Sequence, residues 1–120
     1  MAVTGFGGIF LRAKDPKALY QWYEQHLGLV KTEGAYAFPV PTQHPEIIFS
    51  LFKPDNAYFP PEQKAMLNLQ VDDLDTLLDR LIAAGVTVDP KRDTYDFGKF
   101  GWLTDPEGNR VELWQPIKQD

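Results

Sequence analysis

The chain states one pattern twice. Leu11, Asp15, Leu19 and Tyr23 recur as Leu69, Asp73, Leu77 and Leu81, at a constant offset of 58 residues. Gly28 and Gly85 fall into step after a single deletion. An offset near half of a 120-residue chain implies two copies of one structural unit, and a site is expected where the copies meet. The same repeat pairs Gly8 with Met66.

Each copy reads in the order β-α-β-β-β. In the first, Gly5 to Arg12 is an apolar stretch with strand character. Asp15-Pro16 follows as an N-cap with proline at the first helical position. Leu19, Trp22, Tyr23 and Leu27 then form one helical stripe, and Gly28 ends it. Leu29–Thr32, Tyr36–Val40 and Glu46–Lys53 are expected as short strands. In the second copy Met66–Val71 is a strand, and Asp72 or Asp73 caps a helix that turns Leu74, Leu77, Leu78, Leu81 and Ile82 to one face. Gly85 stops that helix, Val86–Val88 is a short strand, and Lys99–Thr104 and Val111–Gln115 form a hairpin. Its turn is Asp105-Pro106-Glu107-Gly108-Asn109, with proline set for the first bend and glycine for a positive φ. The expected organisation is a single domain over 1–120, with module one at 5–53, a Pro-rich linker at 54–64 and module two at 65–117.

Composition narrows the partners. The net charge of −5, with basic residues scattered along the chain, disfavours a nucleic-acid partner, which needs a basic surface to neutralise phosphates. Cysteine is absent, so disulfides and thiolate metal sites are ruled out. No basic leader precedes an apolar run and no apolar stretch reaches membrane length, so a cytoplasmic protein without a membrane partner is expected. The eight Phe, five Tyr and three Trp exceed what a small core requires, and some are expected to line a pocket.

Three segments together resemble a known superfamily. They are Leu11-Arg12…Asp15…Trp22-Tyr23…Leu27-Gly28-Leu29, then Leu69-Gln70-Val71-Asp72-Asp73, then Leu103-Thr104-Asp105-Pro106-Glu107-Gly108-Asn109-Arg110-Val111-Glu112-Leu113. They resemble the vicinal oxygen chelate superfamily, which includes glyoxalases, extradiol dioxygenases, fosfomycin-resistance enzymes and bleomycin-resistance proteins. The resemblance spans about the whole chain. It implies an α+β fold of paired βαβββ modules curled into a cup, and a homodimer. Family enzymes hold a divalent metal in that cup with side chains from four strands. Those positions fall here on Gly8, Met66, near Ser50 and on Glu112, and only Glu112 keeps a ligand type. Divalent ions need several carboxylate, imidazole or thiolate donors, so no metal or other cofactor is expected. His26 and His44 lie away from these positions.

Strand alternation gives the expected contents of the cup. Met66, Asn68 and Gln70 face inward from the strand that opens the second copy, and Gly8, Phe10 and Arg12 from the strand that opens the first. Arg110, Glu112 and Trp114 do so from the last strand. Ser50 and Phe52 join them, with Phe100 and Trp102 as neighbours. The candidate ligand-binding set is therefore Phe10, Arg12, Ser50, Phe52, Met66, Asn68, Gln70, Phe100, Trp102 and Trp114. Glu112 is the candidate catalytic base, and a fold-holding contact with Arg12, Arg110 or a neighbouring backbone amide is its structural alternative. Tyr95-Asp96-Phe97-Gly98 is a loop placed to act as a lid, and His44 a solvated loop residue.

The leading expectation is a metal-free member that binds a small, partly aromatic or amphipathic molecule in the cup. Two alternatives stand beside it. One is a lyase, isomerase or dioxygenase using Glu112 as base or a shifted metal site of Glu112 with His44. The other is a dimeric interaction module whose cup is filled by its own side chains.

Overall fold

Asp15 and Asp73, the repeated aspartates, each start a helix. The computed structural model describes residues 7–41 and 44–117. Its helices are α1 (Pro16–Leu27) and α2 (Leu74–Ala83). The Asp15 carboxylate accepts the Ala18 N–H at 3.1 Å, and Asp73 accepts that of Thr76 at 3.3 Å. Each answers a donor that the start of a helix leaves open. Gly28 closes α1 at φ 77°, a left-handed geometry that burdens residues with a Cβ by roughly 1–2 kcal/mol. None of the described helices is long and apolar enough to cross a membrane.

The remaining elements are β1 (Val30–Thr32), β2 (Ala35–Ala37), β3 (Leu67–Gln70), β4 (Thr87–Val88), β5 (Asp93–Tyr95), β6 (Gly98–Thr104) and β7 (Arg110–Pro116). β1 and β2 form a separate antiparallel pair. The main sheet runs β3-β7-β6-β4, with β5 also on β6. β3 lies parallel to β7, and the other pairings are antiparallel. Leu19 and Tyr23 of α1 pack with Leu74, Leu78, Leu81, Leu103, Val111 and Leu113. This cluster fills the space between the helices and one face of the sheet. Ile82, expected on the buried stripe, is exposed, because it stands about 80° around α2 from Leu74.

The hairpin turn ties α1 to the sheet. Asp105 Oδ1 accepts the N–H groups of Glu107 and Asn109 at 2.9 and 3.0 Å. Its Oδ2 accepts from the Asn109 amide and the Tyr23 hydroxyl, each at 2.8 Å. The Glu107 carboxylate takes the backbone N–H groups of Lys14 and Asp15 at 2.9 and 3.0 Å. The turn motif therefore holds α1 in place as well as reversing the chain.

The expectations for the second half are met within a residue or two at strand ends, with β5 as an unforeseen addition. In the first half, among the described residues, two expected strands are not formed. Residues 7–12 and 46–53 have irregular backbone, while Gly5 and Phe6 lie outside the described residues. A strand needs a neighbour for its backbone groups, and the segment after Lys53 folds back onto the main sheet instead of bringing 46–53 to an edge. Tyr58 and Gln63 of that segment bond to residues of β7.

Candidate functional site

Register and alternation gather two rows of side chains on the sheet face opposite the core. Phe100 pairs with Trp114 and Trp114 with Gln70, while Trp102 pairs with Glu112 and Glu112 with Asn68. All six were expected on this face.

The row centred on Glu112 is closed. Glu112 is 8% exposed. Its Oε1 accepts from the Tyr58 hydroxyl and, at 3.2 Å, from the Trp102 indole, and its Oε2 accepts from the Asn68 amide. Burial, and then the carboxylate as hydrogen-bond acceptor and as a charge, push the Tyr58 phenol above its ordinary range. Trp102 is 2% exposed. The Tyr58 ring meets it edge-on at 6.0 Å, and the Lys91 ammonium and Arg110 guanidinium stand 5.9 and 5.3 Å from its centroid. Arg110 also pairs with Asp89 at 3.1 Å. The Lys91 backbone N–H and then Arg110 hold the Asp89 carboxyl below its usual range. Gln63 exchanges two 2.9 Å bonds with the Arg110 backbone, fastening the 54–64 segment across this row as a strap.

The row centred on Trp114 borders a cavity, although Trp114 itself is only 7% exposed. A cavity of about 300 Å³ lies over it, lined by His44, Asp96, Phe97, Trp114, Pro116 and Ile117. Phe100 and Trp114 stack almost parallel, 4° apart at 5.9 Å. Tyr95 and Phe97 stack at 5.2 Å, and Phe97 meets Phe100 at 5.7 Å. The His44 ring lies 4.8 Å from Trp114. Its loop is held by the Gln70 amide, which donates to the His44 carbonyl at 2.6 Å. Three lining rings (His44, Phe97 and Trp114), backed by Tyr95 and Phe100, with a few polar groups around a concavity of this size, match the make-up of a small-molecule pocket.

The donor set does not fit a resident divalent ion. Both Glu112 oxygens already accept bonds, and Gly8 and Ser50 are exposed away from the sheet. Among the described residues no group of three or more His, Asp or Glu gathers around a common point.

Of the sequence-selected residues, Trp114 lines the open cavity, with Phe100 stacked on it and Gln70 bonded to the His44 carbonyl behind it, and Asn68, Trp102 and Glu112 form the closed row. Met66 stands half-buried just before β3. Phe52 packs on Tyr58 at 5.5 Å, at the margin. Phe10 is 98% exposed, and Arg12 and Ser50 are exposed as well. These three do not join the face, because the segments that carry them do not form strands of the sheet among the described residues. The ion pair weighed for Glu112 is replaced by three neutral donors. His44, expected in solvent, lines the cavity, and the loop expected over Tyr95–Gly98 is a hairpin turn in which Tyr95 and Gly98 pair as strand ends, leaving Asp96 and Phe97 at the rim. Tyr58 and Ile117 were missed. An aromatic residue inside a Pro-rich linker was the signal for Tyr58.

The family model for the glyoxalase/bleomycin resistance protein/dioxygenase superfamily matches residues 5–113. The chain belongs to that superfamily. Its fold recurs in solved structures of low sequence identity. The antibiotic-binding protein TnmS3 of Streptomyces sp. CB03234 is 23% identical, covering 98% of this chain and 99% of its own, with a TM-score of 0.64. A glyoxylase/bleomycin resistance protein/dioxygenase domain of Frankia sp. EAN1pec is 20% identical over 99% and 96%, also at 0.64. TioX of Micromonospora sp. ML1 is 16% identical over 88% and 93%, at 0.54. No curated protein is significantly similar to this superfamily member in sequence.

Proposed function

We propose that the chain is a metal-free, single-domain binding protein whose open cavity takes a small, partly aromatic or amphipathic molecule. The observation that carries this reading is the cavity walled by Trp114, Phe97 and His44, with Phe100 stacked parallel behind Trp114. Flat rings stack on such a surface with a gain of roughly 0.5–1.5 kcal/mol beyond area burial. The antibiotic-binding description of TnmS3 supports the same reading. Three donors occupy both Glu112 oxygens, which favours a holding role for it over proton abstraction.

A homodimer is the second part of the proposal. Phe10, Val40 and Leu51 are 98%, 83% and 85% exposed, and large apolar side chains left open to solvent mark surfaces that a protein partner covers. A cytoplasmic setting is proposed with it, supported by the absence of cysteine.

The three tryptophans report on the cavity directly. Indole N–H signals followed by NMR during titration with flat aromatic compounds should move first for Trp114, less for Trp102 beneath the strap, and not for Trp22 on α1. Binding that shifts only Trp22, or leaves all three in place, would remove the cavity from the function.

A further inference from the structure

The open cavity has one charged side chain among its described lining residues, Asp96. Asp96 sits in the turn between β5 and β6, and none of the ion pairs of the described residues uses it. No lysine or arginine is among those lining residues. The remaining wall offers ring faces and acceptors. Phe97 and Trp114 line the cavity, with Tyr95 and Phe100 stacked behind them. The Glu46 carbonyl, 3.3 Å from His44 Nδ1, can only accept, so Nδ1 donates to it.

We propose that this cavity selects organic cations, a protonated amine carried on a flat apolar ring system, over neutral and anionic molecules of the same shape. The inference rests on the aromatic-cavity reading above and adds its charge preference. Ring faces carry negative quadrupole density and attract an ammonium within about 6 Å. Asp96 adds a Coulombic attraction. An anion meets the opposite field at Asp96, on a chain whose net charge is already −5. The lone carboxylate is too exposed to give high affinity, so the rings hold the ligand and Asp96 sets its sign.

Calorimetric titration with naphthylethylamine, naphthylethanol and naphthylpropionate, in low and high salt, separates these contributions. The amine should bind about tenfold tighter than the alcohol, with the propionate weakest. Asp96→Asn should remove about threefold of that preference, and high salt should act in the same direction. Phe97→Leu should weaken all three. An alcohol that binds as well as the amine, or an amine preference untouched by Asp96→Asn, overturns the charge selection. If Phe97→Leu still weakens the probes, the aromatic cavity survives that result. Absence of binding by every probe, or affinities indifferent to Phe97→Leu, overturns both.

Discussion

The Tyr23 hydroxyl donates to Asp105 Oδ2 at 2.8 Å across 82 residues of sequence. This buried bond ties the first copy of the repeat to the hairpin of the second. Asp105 serves Glu107 and Asn109 as well, so its loss is the larger injury. Tyr23→Phe should destabilise the fold by about 1–2 kcal/mol. Asp105→Ala, which strands several buried donors, should cost about 3 kcal/mol or more. Urea unfolding midpoints measured side by side check both.

The same pair sets an alkaline limit. Burial first, and then the Asp105 hydrogen bond and charge, push the Tyr23 phenol above its ordinary value of 10.0. Above that value the unfolded chain releases a proton that the folded chain keeps. The stabilisation is therefore fully present below about pH 10 and is lost as pH climbs toward the folded value. Wild type should lose more stability than Tyr23→Phe between about pH 9 and about pH 11. Equal losses would mean that Tyr23 is not the group responsible.

Gly98 carries the open cavity's geometry. Its φ is 148°, and an added Cβ would sit 2.5 Å from Trp114 Nε1 and 2.6 Å from the Gln115 carbonyl oxygen. The carbonyl belongs to the adjoining strand and cannot step aside. Gly98→Ala should cost about 2–3 kcal/mol and displace the Trp114 indole. Thermal unfolding and the Trp114 N–H signal read the two effects separately.

The second half of the chain was legible because its local signals and its tertiary packing agree. Asp73, the leucine stripe and the turn at 105–109 each specify an element that the sheet then accepts, and alternation placed Phe100, Trp102, Glu112 and Trp114 on one face. The first half carries equally clear patterns at 8–12 and 46–53, yet alternation names only which sides a strand would have. It cannot name the edge on which the strand forms. Phe10, Arg12 and Ser50 left the site for that reason. Tyr58 escaped notice because nothing local ties a linker residue to a carboxylate 54 residues on.

Phe10 and Leu51, 98% and 85% exposed, test the homodimer. If these segments meet a second copy, Phe10→Asp and Leu51→Asp should each shift sedimentation toward the monomer. Neither change should lower stability by more than about 0.5 kcal/mol under conditions where the chain is monomeric, as expected for surface positions. A monomeric wild type, or a dimer unmoved by both changes, would set the proposal aside.

Glu112 and Tyr58 decide whether the strap is held or merely rests on the sheet. Glu112→Gln keeps the side chain's shape but turns one acceptor into a donor, facing the Tyr58 hydroxyl or the Asn68 amide. The loss should be about 1–3 kcal/mol, the penalty of a buried polar group left without a partner. Tyr58→Phe removes only the donor and should cost about 1 kcal/mol. In the double variant the two losses should not add, because each breaks the same bond, and a coupling of about 1 kcal/mol is expected. With the strap released, limited proteolysis should cut within residues 54–64 faster than in wild type. Additive losses and an unchanged cleavage rate would mean that Gln63, with its two bonds to the Arg110 backbone, holds the strap without help from Glu112.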